Sequence, residues 1–475
     1  MKKRNKILTY VGAGLVAGAL IFGSYFHTAN ANKLKLEETA IVERMRKSDT
    51  KEHEMTQTEF NIHVSVKSPQ LESIVIRNDS DRPIENFWYY QEGNPNLYST
   101  KTIVNSVIKP GMNDEEKVLA LYGLFPKFYQ NFWPVDSMGM LRDPPTLLGS
   151  IGYGQCNYAA DALKLLVQTQ GFKTRGVGLE VPNSGFAHNI MEVQFSDGSW
   201  HFIDPDGKIF FRNEKGDIAS VEDLRKNPDI VRRAGKFGYD NELYARSLAT
   251  AKIFIPHKEF GEMERHFDRQ KFPGVFRKLM KYDLLPGQLI VLDKEFDGRH
   301  FVRGMGIVDR SQLLQIPPSA SGKFEVDLSK ESLAEVGESV GQNRIIPITL
   351  PYIITSSRVD FDDANMDVSI NPFTFGPTYS TEFRSVRTGE DFSGSFSKDI
   401  PTFGYALKVP RDCNNLRISG SFQHNPRAMP SLNSGTNRFV MYSQSAMIPR
   451  ENYVTETESG VRFKSGLDIK FVLDR

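Results

Sequence analysis

The stretch from Ala187 to Asp204 constrains this chain more than any other. The runs Ala187-His188-Asn189-Ile190-Met191-Glu192-Val193-Gln194-Phe195 and Trp200-His201-Phe202-Ile203-Asp204 flank Ser196-Asp197-Gly198-Ser199. Alternating side chains on both sides of an Asp-Gly pair predict a β-hairpin. Because side chains on a strand alternate with a period of two, a one-residue slip of register exchanges the two faces. A two-residue Asp197-Gly198 turn sets Ser196 opposite Ser199 and Asp204 opposite Met191, so Asp204 points away from His188. A three-residue loop, Ser196 to Gly198 with Gly198 left-handed, sets Phe195 opposite Ser199 and Asp204 opposite Ile190. His188 and Asp204 are then diagonal neighbours on one face, roughly 7–8 Å apart at the backbone and within side-chain reach. His201 falls on the other face, where a structural role is expected. A working His188–Asp204 pair requires the three-residue loop.

Only two cysteines occur in 475 residues. They are too few for a disulfide framework or a four-thiolate zinc site, which leaves one disulfide or two free thiols. Cys156 stands in Gly152-Tyr153-Gly154-Gln155-Cys156-Asn157, followed at helical spacing by Ala159, Leu163, Leu166 and Val167, with Gly171 as a stop. The thiol therefore sits at a helix start, where free amide hydrogens and the dipole favour thiolate. The glycines before it permit a sharp turn and a close approach of substrate. A buried structural cysteine is the alternative. A thiolate nucleophile needs an imidazole to handle its proton, and the imidazole needs an orienting partner. His188 and Asp204 fill those positions. Cys413, in Arg411-Asp412-Cys413-Asn414-Asn415, has no histidine pattern nearby. A disulfide between the two cysteines would abolish the nucleophile, so the triad requires Cys413 to be free.

The rest of the chain supplies a frame. Lys2, Lys3, Arg4 and Lys6 precede an almost uncharged run from Ile7 to Phe26 that ends in His27-Thr28-Ala29-Asn30-Ala31. That pattern predicts an export signal over 1–31, with an uncleaved membrane anchor as the rival. Removal of 1–31 takes the formal charge from +1 to −3, and near-neutral charge gives no reason to expect nucleic acid. Residues 32–58 read as a polar stalk or short helix, and 59–100 as a small β element with alternation at Phe60, Ile62, Val64 and Val66. Asn113-Asp114-Glu115-Glu116 starts a helix that Pro126 is expected to close. A mixed domain then spans 101–250 and a linker or helical segment 251–284. From 285 to 475, short apolar alternations between Gly, Pro, Asn, Ser and Asp predict an all-β, sandwich-like domain. Asp360-Phe361-Asp362-Asp363-Ala364-Asn365-Met366-Asp367 has the acids of a calcium loop but Val368 where the loop needs glycine, so a solvated turn is expected. No metal or cofactor is expected.

Gly154-Gln155-Cys156, preceded by Tyr153, resembles the active-site signature of animal transglutaminases. Cys156, His188 and Trp200-x-x-x-Asp204-Pro205, at intervals of 32 and 16 residues, resemble the core of the transglutaminase-like superfamily of papain-fold thiol enzymes in its compact bacterial form. Gly171-Phe172-Lys173-Thr174-Arg175-Gly176-Val177 resembles the stretch that joins the cysteine helix to the next strand. The likeness covers about residues 112–212 and departs at Asn157, where the animal enzymes carry Trp. It implies an α+β, papain-like transglutaminase core with Cys156 as nucleophile, His188 as general base and acid, and Asp204 orienting His188. The Cys156 amide would be one oxyanion donor, with Gln155 or Trp133 as the second. It further implies acyl chemistry on protein or peptide amides, ending in hydrolysis or transfer to an amine, while the amino-terminal pattern places the chain outside the cytoplasm. The layout also resembles bacterial envelope proteins associated with surface polysaccharide. A catalytically silent cell-surface or glycan-associated binding or scaffold protein is the alternative.

Overall fold

The computed structural model describes residues 56–132, 142–254 and most of 282–474, together with positions 33, 35 and 37. The expected export signal, almost all of the stalk, most of the 251–284 linker and Trp133 lie outside the described residues. Among the described residues no helix is long and apolar enough to cross a membrane. Helices and large antiparallel sheets are both present, so the chain is α+β.

Three strands come first: β1 (Thr56–Val64), β2 (Leu71–Asn78) and β3 (Ile84–Gln91). The strands expected over 59–100 take their partners from far along the chain. β1 and β3 lie on either side of the strand Gly435–Ser443, and β2 lies between Leu289–Asp293 and Leu467–Leu473. Two or three short strands cannot bury an apolar face or satisfy their edges alone, so they take partners from the far end of the chain. Phe60, Phe87 and Phe439 of the smaller sheet and Ile74, Phe324, Ile346, Phe422 and Phe471 of the larger one form a single core. Phe60 and Phe439 stack with ring centroids 5.2 Å apart.

Between β3 and the strand Tyr282–Leu284 the chain builds a second unit. It begins with α1 (Thr100–Val107), α2 (Asp114–Tyr122) and α3 (Leu124–Phe128). Asn113 caps α2 as its sequence predicts: its Oδ1 accepts from Glu116 N at 2.9 Å, while Glu116 Oε2 accepts from Asn113 N at 2.8 Å. Pro126 does not close that helix. α2 ends at Gly123, and Pro126 sits in the first turn of α3, where a missing N–H has little effect. Next come β4 (Gln130–Asn131), a π-helical turn (Pro145–Ile151), β5 (Tyr153–Gly154) and α4 (Cys156–Gln168), with β4 and β5 parallel. The strands β6 (Lys173–Val181), β7 (Phe186–Gln194) and β8 (Trp200–Ile203) follow, then α5 (Val221–Lys226), α6 (Asp229–Arg232), α7 (Asn241–Ala249) and β9 (Lys252–Phe254).

The sheet order is β8–β7–β6–β9. Its alternation feeds two cores. Met191, Val193 and Ile203 pack with Ala159, Leu163 and Leu166 of α4, and Ile190, Phe202 and Leu179 pack with Leu224, Tyr244 and Leu248 of the later helices. Leu163 is fully buried, and its truncation to alanine costs about 2–5 kcal/mol. The α4 core also takes in Phe301, Ile353 and Phe403 from the β sheets, so the two units share apolar packing.

Candidate active site

Loop geometry brings the histidine and aspartate together. Phe195 N donates to Ser199 O at 2.9 Å and Gly198 N to Phe195 O at 3.0 Å, with Gly198 at φ 87°. Met191 pairs with Ile203 and Val193 with His201, which is the register of the three-residue loop. One further step places Asp204 opposite Ile190 and diagonal to His188. The side chains meet: His188 Nε2 lies 2.8 Å from Asp204 Oδ2. Both are buried, at 2% and 0% exposure. His201 lies on the other face, stacked on Phe195 and bonded to Ile218 O and Ser199 Oγ.

Asp204 is held from all sides. Its Oδ1 accepts from Asp206 N at 3.1 Å and Gly207 N at 2.8 Å, and its Oδ2 accepts from Tyr244 Oη at 2.7 Å. A Cβ on Gly207 would collide with the carboxylate. Glycine is therefore required at that point by space.

Cys156 is the first residue of α4, behind Gln155 at the N-cap. The sequence places it there because Gly152, at φ 79°, reverses the chain between the π-helical turn and β5. The amides opening α4 have no carbonyl one turn earlier and are available to an anion. Cys156 is half-buried, and both cysteines are free thiols, with Cys413 inside the β core. Burial, helped by the nearby Asp362 carboxylate, pushes the Cys413 thiol's pKa up.

The second ring nitrogen of His188, Nδ1, is buried without a hydrogen-bond partner among the described residues. Burial disfavours a charged imidazole, but the Asp204 carboxylate and then the Cys156 sulfur outweigh it, raising the His188 pKa to about 10. A proton is thus held on the ring at neutral pH. Asn189 adds a neighbour that the sequence did not reveal: its Nδ2 approaches Cys156 Sγ at 3.9 Å.

The expected oxyanion residues fare differently. Gln155 acts through its backbone, its carbonyl accepting from Tyr158 N and Ala159 N, and its side chain makes no cap bond. Trp133 lies outside the described residues. A further cluster stands beside the triad. Asp206 Oδ1 bonds Tyr129 Oη at 2.6 Å, while its Oδ2 bonds Asn131 Nδ2 at 2.7 Å and also Tyr239 Oη. The Tyr239 ring lies 4.4 Å from the His188 ring. Asp206 had one signal in the sequence, its place two residues after Asp204 in the turn that follows β8; Tyr129 and Tyr239 come from distant loops and had none.

Among the described residues no group of three or more His, Cys, Asp or Glu is placed to hold a metal ion. The turn at Asp362–Asp367 is tied by Asn415 to Asp362 and by Asn365 N to Asp363. No family model matches the chain, and no curated protein matches it.

Proposed function

We propose that the chain is an exported transglutaminase-like thiol enzyme that acts on amide bonds through a Cys156 acyl-enzyme. The observation that carries this reading is His188, bonded at 2.8 Å to Asp204 through one nitrogen and near enough to Cys156 for the sulfur to favour its charged form. In the first step the Cys156 thiol gives its proton to His188 and the sulfur attacks the amide carbonyl carbon, and negative charge on the oxygen falls to the amides that open α4. His188 then gives its proton to the departing nitrogen, the C–N bond breaks and a thioester remains. Water or an amine attacks the thioester, His188 takes the proton from the newcomer, and the sulfur leaves. Water yields a peptidase or amidase, and an amine yields an acyl transferase. The transglutaminase-like, papain-type assignment and the location outside the cytoplasm belong to the same proposal, supported by the residue likeness and the amino-terminal pattern.

The test is alkylation of Cys156 by iodoacetamide near neutral pH. It should run faster than for a free cysteine and slow at least tenfold in His188→Ala; equal rates in the two proteins refute the triad. Ammonia release from glutamine peptides, with and without an added amine, then separates deamidation from transfer, and new peptide termini report cleavage. A binding role has its own support in a row of partly exposed rings, Trp88, Tyr98, Tyr442 and Tyr90, with successive centroids 6.2–6.3 Å apart. It stands if glycan is bound while every amide assay is silent.

A further inference from the structure

Tyr129 has one hydroxyl proton and two neighbours that need it. Its Oη lies 2.8 Å from the Gly154 carbonyl oxygen and 2.6 Å from Asp206 Oδ1. If Asp206 were ionised, both neighbours would be acceptors only, and one of these two buried approaches would bring lone pairs together. On the opposite side of the carboxyl the count closes. Asn131 Nδ2 spends one hydrogen on Asp206 Oδ2 and the other on Tyr239 Oη, at 2.7 and 3.0 Å, and Tyr239 donates its own proton to Oδ2. The missing hydrogen therefore belongs on Oδ1.

We propose that Asp206 is a proton-carrying positioning residue of this site. As a neutral carboxylic acid it donates to Tyr129, which frees the Tyr129 proton for the Gly154 carbonyl, two residues before the nucleophile. Asp204 and Asp206 thus divide the work of two adjacent carboxyls. Asp204 receives donors on both oxygens, from His188, Tyr244 and two backbone amides, and bears the charge. Asp206, 4% exposed, stays neutral beside it because two carboxylates in one site resist joint ionisation. Burial first, and then Asp204, push the Asp206 pKa up, against the pull of Tyr129, Tyr239 and His188. Asp204, His188, Tyr129, Tyr239 and Tyr244 are the titratable groups around it, and Lys208 feels it from the edge of the site.

Neutrality matters because Asp206 Oδ2 is only 4.0 Å from His188 Nδ1. A permanent charge there would compete with the Cys156 sulfur for the imidazolium. Ionisation would also reclaim the hydrogen bond of Tyr129 and release the Gly154 carbonyl, loosening the turn that aims the sulfur. The role rests on Cys156, His188 and Asp204 acting as a triad, whereas the protonation itself does not.

Two measurements on the whole protein test this. At neutral pH an infrared difference spectrum between wild type and Asp206→Asn should show the carbonyl stretch of a protonated carboxylic acid in the wild type only. Its absence, with carboxylate bands in its place, overturns the proposal. In the iodoacetamide assay Asp206→Asn, whose amide donates to Tyr129 and accepts from Asn131 and Tyr239, should keep the wild-type rate within about fivefold, the worth of one neutral hydrogen bond. Asp206→Ala should lose about a hundredfold, as expected for a displaced nucleophile. An equally deep loss in Asp206→Asn would mean that the carboxylate charge is needed, and also overturns the proposal. If His188→Ala reacts at the wild-type rate, the triad falls, and the infrared band still decides the state of Asp206.

Discussion

His188 is buried yet keeps a proton, and its environment fixes how the site should respond to pH. The folded protein holds that proton from 6.5, where the unfolded chain loses it, up to about 10. The stability it contributes is complete below 6.5 and is lost as pH rises through about 10. Activity that needs the imidazolium should fall on the same alkaline side. In Asp204→Asn the carboxylate that holds the proton is gone, so the alkaline limb of kcat/KM should move to lower pH; an unmoved limb would deny Asp204 its orienting role. Gly207→Ala pushes on the same carboxylate and should cost about a hundredfold in kcat with little change in KM, measured by steady-state kinetics. His300 and His424 behave in the opposite sense. Burial pushes the pKa of His300 down to about 3 and that of His424 to about 4. Acid must charge them on unfolding, so stability falls as pH drops below 6.5, on the order of 2 kcal/mol for each histidine between pH 7 and 5. Urea melts across that range check the slope, which should be shallower in His300→Asn.

At the level of elements, the hairpin β7–β8 decides whether there is a site at all. Deleting Ser199 while the Ser196–Gly198 loop is kept sets Trp200 opposite Phe195, and the pairing then carries Asp204 opposite Met191, to the face away from His188. Activity should vanish, while far-UV circular dichroism stays close to wild type; retained activity would show that another register or a bulge keeps the pair. This much was legible in the sequence because a hairpin is local: its alternation, its Asp-Gly and its parity all lie within 18 residues. The helix at Cys156 was legible for the same reason. Pro126 was misread because a proline stops the helix it enters late and is tolerated in the one it opens; only the break at Gly123 tells the two apart. The tyrosines around Asp206 were hidden because a phenol carries no periodic signature, and Tyr129 and Tyr239 reach the site from separate loops.

Across the whole molecule, the sequence pattern showed β-rich ends but not that they interlock. Strand alternation names a face to be buried and is silent about partners hundreds of residues away. The same holds for Asn425, which joins the two units from behind Cys156. Its Nδ2 donates to Phe128 O at 3.0 Å and Leu148 O at 2.6 Å, and its backbone N–H to Ser150 O at 2.8 Å. It fits because Gly152 has no Cβ to collide with it. Asn425→Ala leaves two buried carbonyls bare and should destabilise the protein by about 3 kcal/mol, with Cys156 alkylation slowed as the turn loosens. Residues 101–250 expressed alone should be poorly folded, because Phe301, Ile353, Phe403 and Asn425 are missing from their core; a cooperative melt of that fragment would contradict this.

The strand Leu467–Leu473 pairs with β2, and Gly435–Ser443 pairs with β1 and β3. During synthesis Cys156, His188 and Asp204 emerge from the ribosome well before the strands Gly435–Ser443 and Leu467–Leu473. The strands β1, β2 and β3 must wait with open edges until those downstream strands arrive. Asn425, which seats the turn before Cys156, emerges late as well. On the proposed function, the thiol site would thus take its working shape only after strands far downstream of it have been made.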